Sequence, residues 1–230
     1  MSDPLPPLAE LRRAAEVFNG FANADTSWLR LRAETRSAID LSLPAHRTIL
    51  LRWLNSWGCR IRYPREGEPA PFDDGILAWW ETWGATLPSA DLVDLTDEGI
   101  DTAAKAYADL AGVVVSAGRT RRTLGQTAAA KALYALRPNT IMPWDAAIAA
   151  TLHGARDGAA FGRHLRLGRA WAAAVIAEAG DGGAEIPALM GRPVSLAKIL
   201  DEYLYVAFTM GAKGDWGTDS GEWWKNGNRG

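Results

Sequence analysis

Hydrophobic residues recur along this chain at the spacing of a single helix face, almost from end to end. The clearest case follows Pro44. Ile49, Leu50, Trp53, Leu54 and Trp57 share one face, and a proline suits the first helical position, so the pattern predicts a helix over Pro44–Trp57. Before it, helices are predicted over Leu8–Phe18, started after Pro7, and over Ser27–Ile39, opened by a capping serine and alternating Leu with Arg. Ile76–Trp83 reads as a short helix. Thr96 opens a longer one, with Asp97 and Glu98 in the first turn where acids suit the helix dipole; it is expected to run through Tyr107, Leu110 and Val114 to Gly118. Gln126–Leu136 follows and breaks at Arg137-Pro138-Asn139, because proline disfavours a helical residue before it. Trp144–Leu152, Ala159–Ala179 (ended by Gly180) and Val194–Met210 complete the set, the last with Leu196, Ile199, Leu200 and Tyr203 on its apolar side.

No persuasive strand pattern interrupts this reading; Arg60–Tyr63 is at most a short extended edge. Pro64, Gly67, Pro69, Pro71 and Gly75 make Arg60–Asp74 a loop. The expected fold class is therefore all-α, with residues 1–210 forming one helical domain and a lobe boundary near 64–75. Residues 211–230 are expected to be a Gly/Trp-rich tail, mobile or draped over the surface.

Composition narrows the function classes. A chain of 230 residues with 48% hydrophobic content can bury a sizeable core. Its net charge of −2 creates no global basic field, so any nucleic-acid binding must come from a local patch. No apolar run, the one near Val113–Val115 included, approaches the roughly twenty residues of a membrane span. The N-terminal MSDPLPPLAE is acidic and proline-rich, unlike a signal peptide. The single cysteine, Cys59, rules out an internal disulfide and a thiolate zinc cluster; it reads as a packed thiol in a cytoplasmic protein. His46, His153 and His164 form no pair at ligand spacing, and no P-loop or dinucleotide fingerprint is present, so neither metal nor cofactor is expected. His164 reads as a surface histidine beside a basic group, Arg163, Arg166 and Arg169, spaced by three along one helix.

The chemistry concentrates between Arg119 and Ile148, RTRRTLGQTAAAKALYALRPNTIMPWDAAI. Arg119, Arg121 and Arg122 form a basic cluster; Leu124-Gly125 makes a turn; an alanine-rich helix and a proline turn follow; Pro143-Trp144-Asp145 then opens another helix, its acid twenty residues after Gly125. This order resembles the active-site core of the helix-hairpin-helix DNA glycosylases, over about thirty residues. The turn departs from the family pattern, which usually shows two or more glycines where this chain has Gly125 alone. The resemblance implies a two-lobed helical fold with DNA in the cleft between the lobes. It implies that backbone amides around Leu124, Gly125 and Thr127, helped by Arg121 and Arg122, hold a DNA phosphate. It makes Asp145 the catalytic carboxylate, stabilising the positive charge that grows on the sugar as the bond to the base breaks.

The eleven tryptophans read mainly as core, with Trp53, Trp57 and Trp144 as candidates to line a pocket for a flipped base. Family members that also cut the strand carry a lysine at the start of the helix after the turn. Here that place falls on Gln126 or Thr127, and Lys131 is expected to face elsewhere. The implied enzyme is monofunctional and leaves an abasic site in double-stranded DNA carrying a modified base, with no obligatory protein partner. Two substrate classes stay open: an alkylated base removed in repair, or a hypermodified cytosine (glucosylated, hydroxymethylated) of phage DNA attacked in bacterial defence. Two other readings also stay open: a non-catalytic DNA-binding module in which Asp145 only caps its helix, and a helical protein-interaction domain.

Overall fold

Proline placement sets where several helices begin. In a computed structural model of the chain, which describes residues 6–20, 22–116, 121–180, 186 and 194–210, α1 spans Leu8–Asn19, α2 Ala22–Glu34, α3 Pro44–Ser56 and α4 Pro71–Trp83. α4 starts five residues before the predicted Ile76, because Pro71 occupies the first turn, where an amide donor is not needed, and Asp73 and Asp74 follow it at the positive end of the helix dipole. α2 begins earlier than Ser27 and stops at Glu34, short of Ile39, because Arg36 and Ser37 take left-handed backbone angles, φ 50° and 61°. A 3-10 turn, Leu92–Asp94, precedes α5, Asp97–Gly112, whose Thr96 cap accepts the Gly99 amide.

The largest departure from the sequence reading follows α5. The helix ends at Gly112, not Gly118, and the β-branched run Val113–Val115 enters a strand instead. β1 (Val114–Ser116) pairs antiparallel with β2 (Arg122–Thr123). The extended edge expected at Arg60–Tyr63 is irregular coil. α6 spans Gln126–Leu136, as predicted at both ends. α7 (Ala146–His153) starts two residues later than Trp144; α8 covers Gly158–Ala179; α9 (Leu196–Leu204) continues through a π-helical turn, Tyr205–Thr209. Arg119 and the tail from Gly211, with Trp216, Trp223 and Trp224, lie outside the described residues.

The chain is therefore all-helical apart from this two-stranded hairpin among the described residues. One cluster of buried apolar residues runs from Leu11 in α1 to Leu204 in α9. α1 packs against α8 and α9, α5 lies between α8 and α6, and α3 meets α2, α4 and α6. The segment 64–69 is largely exposed and joins α3 to α4, which contact each other. The second basic group is a clamp: Arg166 reaches Asp101 at 2.7 Å and Asp97 at 3.4 Å, and Arg169 reaches Asp97 at 2.9 Å, tying α8 to α5. These two arginines are spent on the protein's own acids. No helix among the described residues is long and apolar enough to cross a membrane.

Candidate active site

The Pro143-Trp144-Asp145 segment is held rigidly before it presents its acid. Ile141, Met142 and Trp144 are at most 1% exposed. The Trp144 ring sits among Tyr107, Phe161, His153 and His164. The Pro143 carbonyl can only accept, so His164 Nε2, 3.3 Å away, carries the donated hydrogen; His164 Nδ1 then accepts from His153 Nε2 at 3.1 Å. Burial holds His164 down at about 3 and His153 at about 4, so both rings are neutral near pH 7. His164 is thus fully buried (0% exposed), not the surface residue its arginine neighbours suggested. It faces the core from α8 while those arginines face α5 and solvent.

Asp145 caps α7. Its Oδ1 accepts the Ala147 and Ile148 amides at 2.9 and 3.0 Å, and its Oδ2 accepts the Thr209 hydroxyl at 2.6 Å. Beside it opens a cavity of about 260 Å³, walled by Trp57, Lys131, Trp144, Lys198, Asp201 and Tyr205. The wall is assembled from the end of α3, the middle of α6, the start of α7, and α9 with the turn after it.

Lys131 faces this cavity, contrary to the expectation that it points elsewhere. It lies four residues beyond Thr127, one helical turn, and so on the same face of α6. Its ammonium donates to the Trp57 carbonyl at 2.7 Å and stands 5.5 Å from the Trp57 ring centre. Lys198 is 4% exposed; its Nζ is 2.7 Å from Asp201 Oδ2 and 3.7 Å from Glu202 Oε1, and lies 4.3 Å and 5.1 Å from the Phe18 and Trp57 ring centres. Burial pushes the Asp201 carboxyl above the ordinary range, against the pull of Lys198. Lys198, Asp201 and Glu202 went unnoticed in the sequence. Their only signal is charge at i, i+3 and i+4 on a strongly amphipathic helix, which ordinarily marks a solvated side.

The expected base-pocket residues separate. Trp57 lines the cavity, with its Nε1 donating to the Ser27 hydroxyl at 2.9 Å. Trp144 touches it from the buried aromatic cluster. Trp53, 3% exposed, is packed behind Trp57 with ring centres 4.7 Å apart, and belongs to the core and not to the lining.

The expected phosphate site is rearranged too. Arg121 and Arg122 are exposed, and among the described residues no carboxylate lies within ion-pair distance of either. Leu124 is buried, its amide donating to the Val113 carbonyl at 2.8 Å, and the Gly125 amide donates to the Ala111 carbonyl at 3.0 Å. Those two amides close the hairpin onto α5 and are turned away from a ligand. Gly125 takes φ 79°, which glycine adopts at little cost, and this launches α6. The first bond inside α6 runs from Ala129 to Gly125, so the amides of Gln126, Thr127 and Ala128 stand at its uncapped start.

A larger cavity of about 610 Å³ lies between α3, α4 and β1. Its charged residues are paired with one another: Arg62 meets Glu68, and Arg47 bonds both oxygens of Asp73 and the carbonyls of Leu41 and Ser42, which uses the guanidinium as a structural tie. Cys59 is partly buried, and burial raises its thiol above the ordinary value, as a packed cysteine requires.

Among the described residues, the fold is helical apart from one β-hairpin, and the site holds a carboxylate at the wall of an aromatic, lysine-bearing cavity. No protein-family model matches the chain, and neither a curated protein nor a solved structure shows significant similarity to it.

Proposed function

We propose that the protein is a monofunctional DNA glycosylase that takes a modified base from double-stranded DNA into the Asp145 cavity and leaves an abasic site. One observation carries this reading: Asp145 is fixed by three hydrogen bonds at the wall of a cavity with an aromatic face. A carboxylate so fixed is preorganised for charge that develops in front of it. As the bond between the base and the sugar C1′ lengthens, positive charge grows on the sugar. Asp145 lies against that charge, and water completes the reaction at C1′. Trp57 offers a face for the extruded ring. Arg121 and Arg122, together with the uncapped start of α6, supply the hold on phosphate.

Water is kept as the nucleophile because Gln126 and Thr127, at the start of α6 where strand-cutting members of the glycosylase family carry a lysine, are not lysines. The rival reading is a DNA-binding module in which Asp145 serves only its helix, and the two amide bonds at Oδ1 favour it. Incubation with unmodified, alkylated and glucosyl-hydroxymethylated DNA, followed by alkali, separates the two. Strand breaks after alkali support the glycosylase; DNA binding without breaks on any substrate leaves the module.

A further inference from the structure

The two ammonium groups of the Asp145 cavity are not equivalent. Lys198 is matched by Asp201 and Glu202. Lys131 is not: among the described residues no carboxylate lies within ion-pair distance of its nitrogen, and its close neighbours are a neutral carbonyl and the Trp57 ring. Lys131 acts electrostatically on Asp201 yet is bonded by no carboxylate among the described residues, so its positive charge on the cavity wall is open to an occupant. Trp57, the ring best placed to stack on that occupant, already has both ammonium groups within 5.5 Å of its centre. A ring normally attracts a cation through its electron-rich face. Here two built-in cations occupy that attraction, and a third on the same ring would meet their repulsion, since the two carboxylates of the lining are already engaged, Asp201 by Lys198 and Asp145 by three hydrogen bonds.

We propose that Lys131 stabilises the departing base, and that the site accordingly selects modified bases that are uncharged before cleavage over cationic N-alkylated ones. The inference rests on the glycosylase reading and sharpens it. When the bond from C1′ to an uncharged base breaks, the electron pair stays with the base, which would leave as an anion. Lys131 donates a proton to it; water adds at C1′; the surplus proton of that water returns to the lysine amine. One water is consumed, and one neutral base and one abasic sugar are produced. A cationic alkylated base leaves neutral without help, gains nothing from Lys131, and is repelled before it reacts.

The test compares the full-length protein with Lys131→Met, which removes the charge at similar volume, and Lys131→Arg, which keeps it. Equilibrium dialysis measures cytidine against its cationic N3-methyl derivative, and alkali cleavage measures base release from DNA with uncharged or N-alkylated modified bases. The expected result is cytidine binding at least tenfold tighter than the cation. Lys131→Met should bring that ratio to within about threefold and lower release of the uncharged base by about 10²-fold, and Lys131→Arg should recover part of both. Equal or tighter binding of the cation, an unchanged ratio in Lys131→Met, or release of N-alkylated bases that falls as steeply in Lys131→Met as release of the uncharged base overturns the proposal. A covalent adduct trapped at Lys131 by borohydride also overturns it, since the amine would then be the nucleophile. Charge selectivity without any base release would sink the glycosylase reading while leaving Lys131 as the selector of a bound ring. Neither binding nor release of any of these substrates sinks both.

Discussion

Two aspartates twelve residues apart make the same local bond and stand in different surroundings. Asp157 caps α8 by accepting the Ala160 amide at 2.8 Å, and it is exposed. Asp145 caps α7 through two amides, yet its second oxygen takes the Thr209 hydroxyl from the far end of the chain, and a cavity with two lysines lies beside it. A helix cap is a local device, and nothing in it distinguishes a site from a structural joint. The distinction comes from what the rest of the chain packs around it.

The sharpest break of this comparison is the pair Asp145→Asn and Asp157→Asn. Asparagine still caps a helix, so both variants should melt within about 1 kcal/mol of the parent. Base release should fall by about 10²–10³-fold for Asp145→Asn and stay unchanged for Asp157→Asn. Equal activity in the two variants would reduce Asp145 to a cap.

The segment leading into Asp145 is tied to the interior by neutral His164 and His153, whereas the approach to Asp157 is held by the buried Tyr107 hydroxyl, which donates to the Arg156 carbonyl at 2.8 Å. The folded values of the two histidines, about 3 and about 4, lie below the ordinary value near 6.5. The unfolded chain thus binds more protons in this range, so the stability they confer is complete above about pH 6.5 and is lost as pH falls toward 4. Urea titrations at pH 7, 6 and 5 should show a slope of up to about 1.4 kcal/mol per unit from His164. The pair adds less than twice this, because the two rings share a hydrogen bond. His164→Gln should flatten the slope; an unaltered acid limb would mean that these rings do not titrate as a buried pair.

Alanine at the caps should cost about 1 kcal/mol for Asp157, with the Asp145 variant toward about 2 kcal/mol because three hydrogen bonds disappear instead of one, measured by chemical unfolding. The smallest expected effect is electrostatic. Arg121→Ala with Arg122→Ala should weaken binding to all DNA sequences alike and lower the salt slope by roughly 0.9 for each phosphate that is no longer neutralised. Arg163→Ala, on the helix whose neighbouring arginines are paired with α5, should leave the slope unchanged. A weakening confined to one substrate would mean that Arg121 or Arg122 reads the base.

What could be read from the sequence was what neighbouring residues determine among themselves. Gln126–Leu136 begins after a glycine and ends before a proline, and both ends stand where those residues put them. Thr96 and Asp145 each cap the helix that follows, because a side-chain oxygen three residues or fewer from an amide needs no distant partner. The hairpin was not legible, since Val113–Val115 fits either a helix face or a strand; pairing with Arg122 and Thr123 decides between them. Nor was the cavity, because Lys131, Lys198 and Asp201 look like solvated charges until α3, α6 and α9 bring them to Asp145 from up to fifty-six residues along the chain. Trp53 and Trp57 share a helix face, yet one is core and the other is wall. Periodicity and capping act within a turn or two of helix, and the sequence alone determines them. Which buried charges meet, which ring faces open space and which amides are already spent depend on long-range packing, and only the tertiary structure decides them.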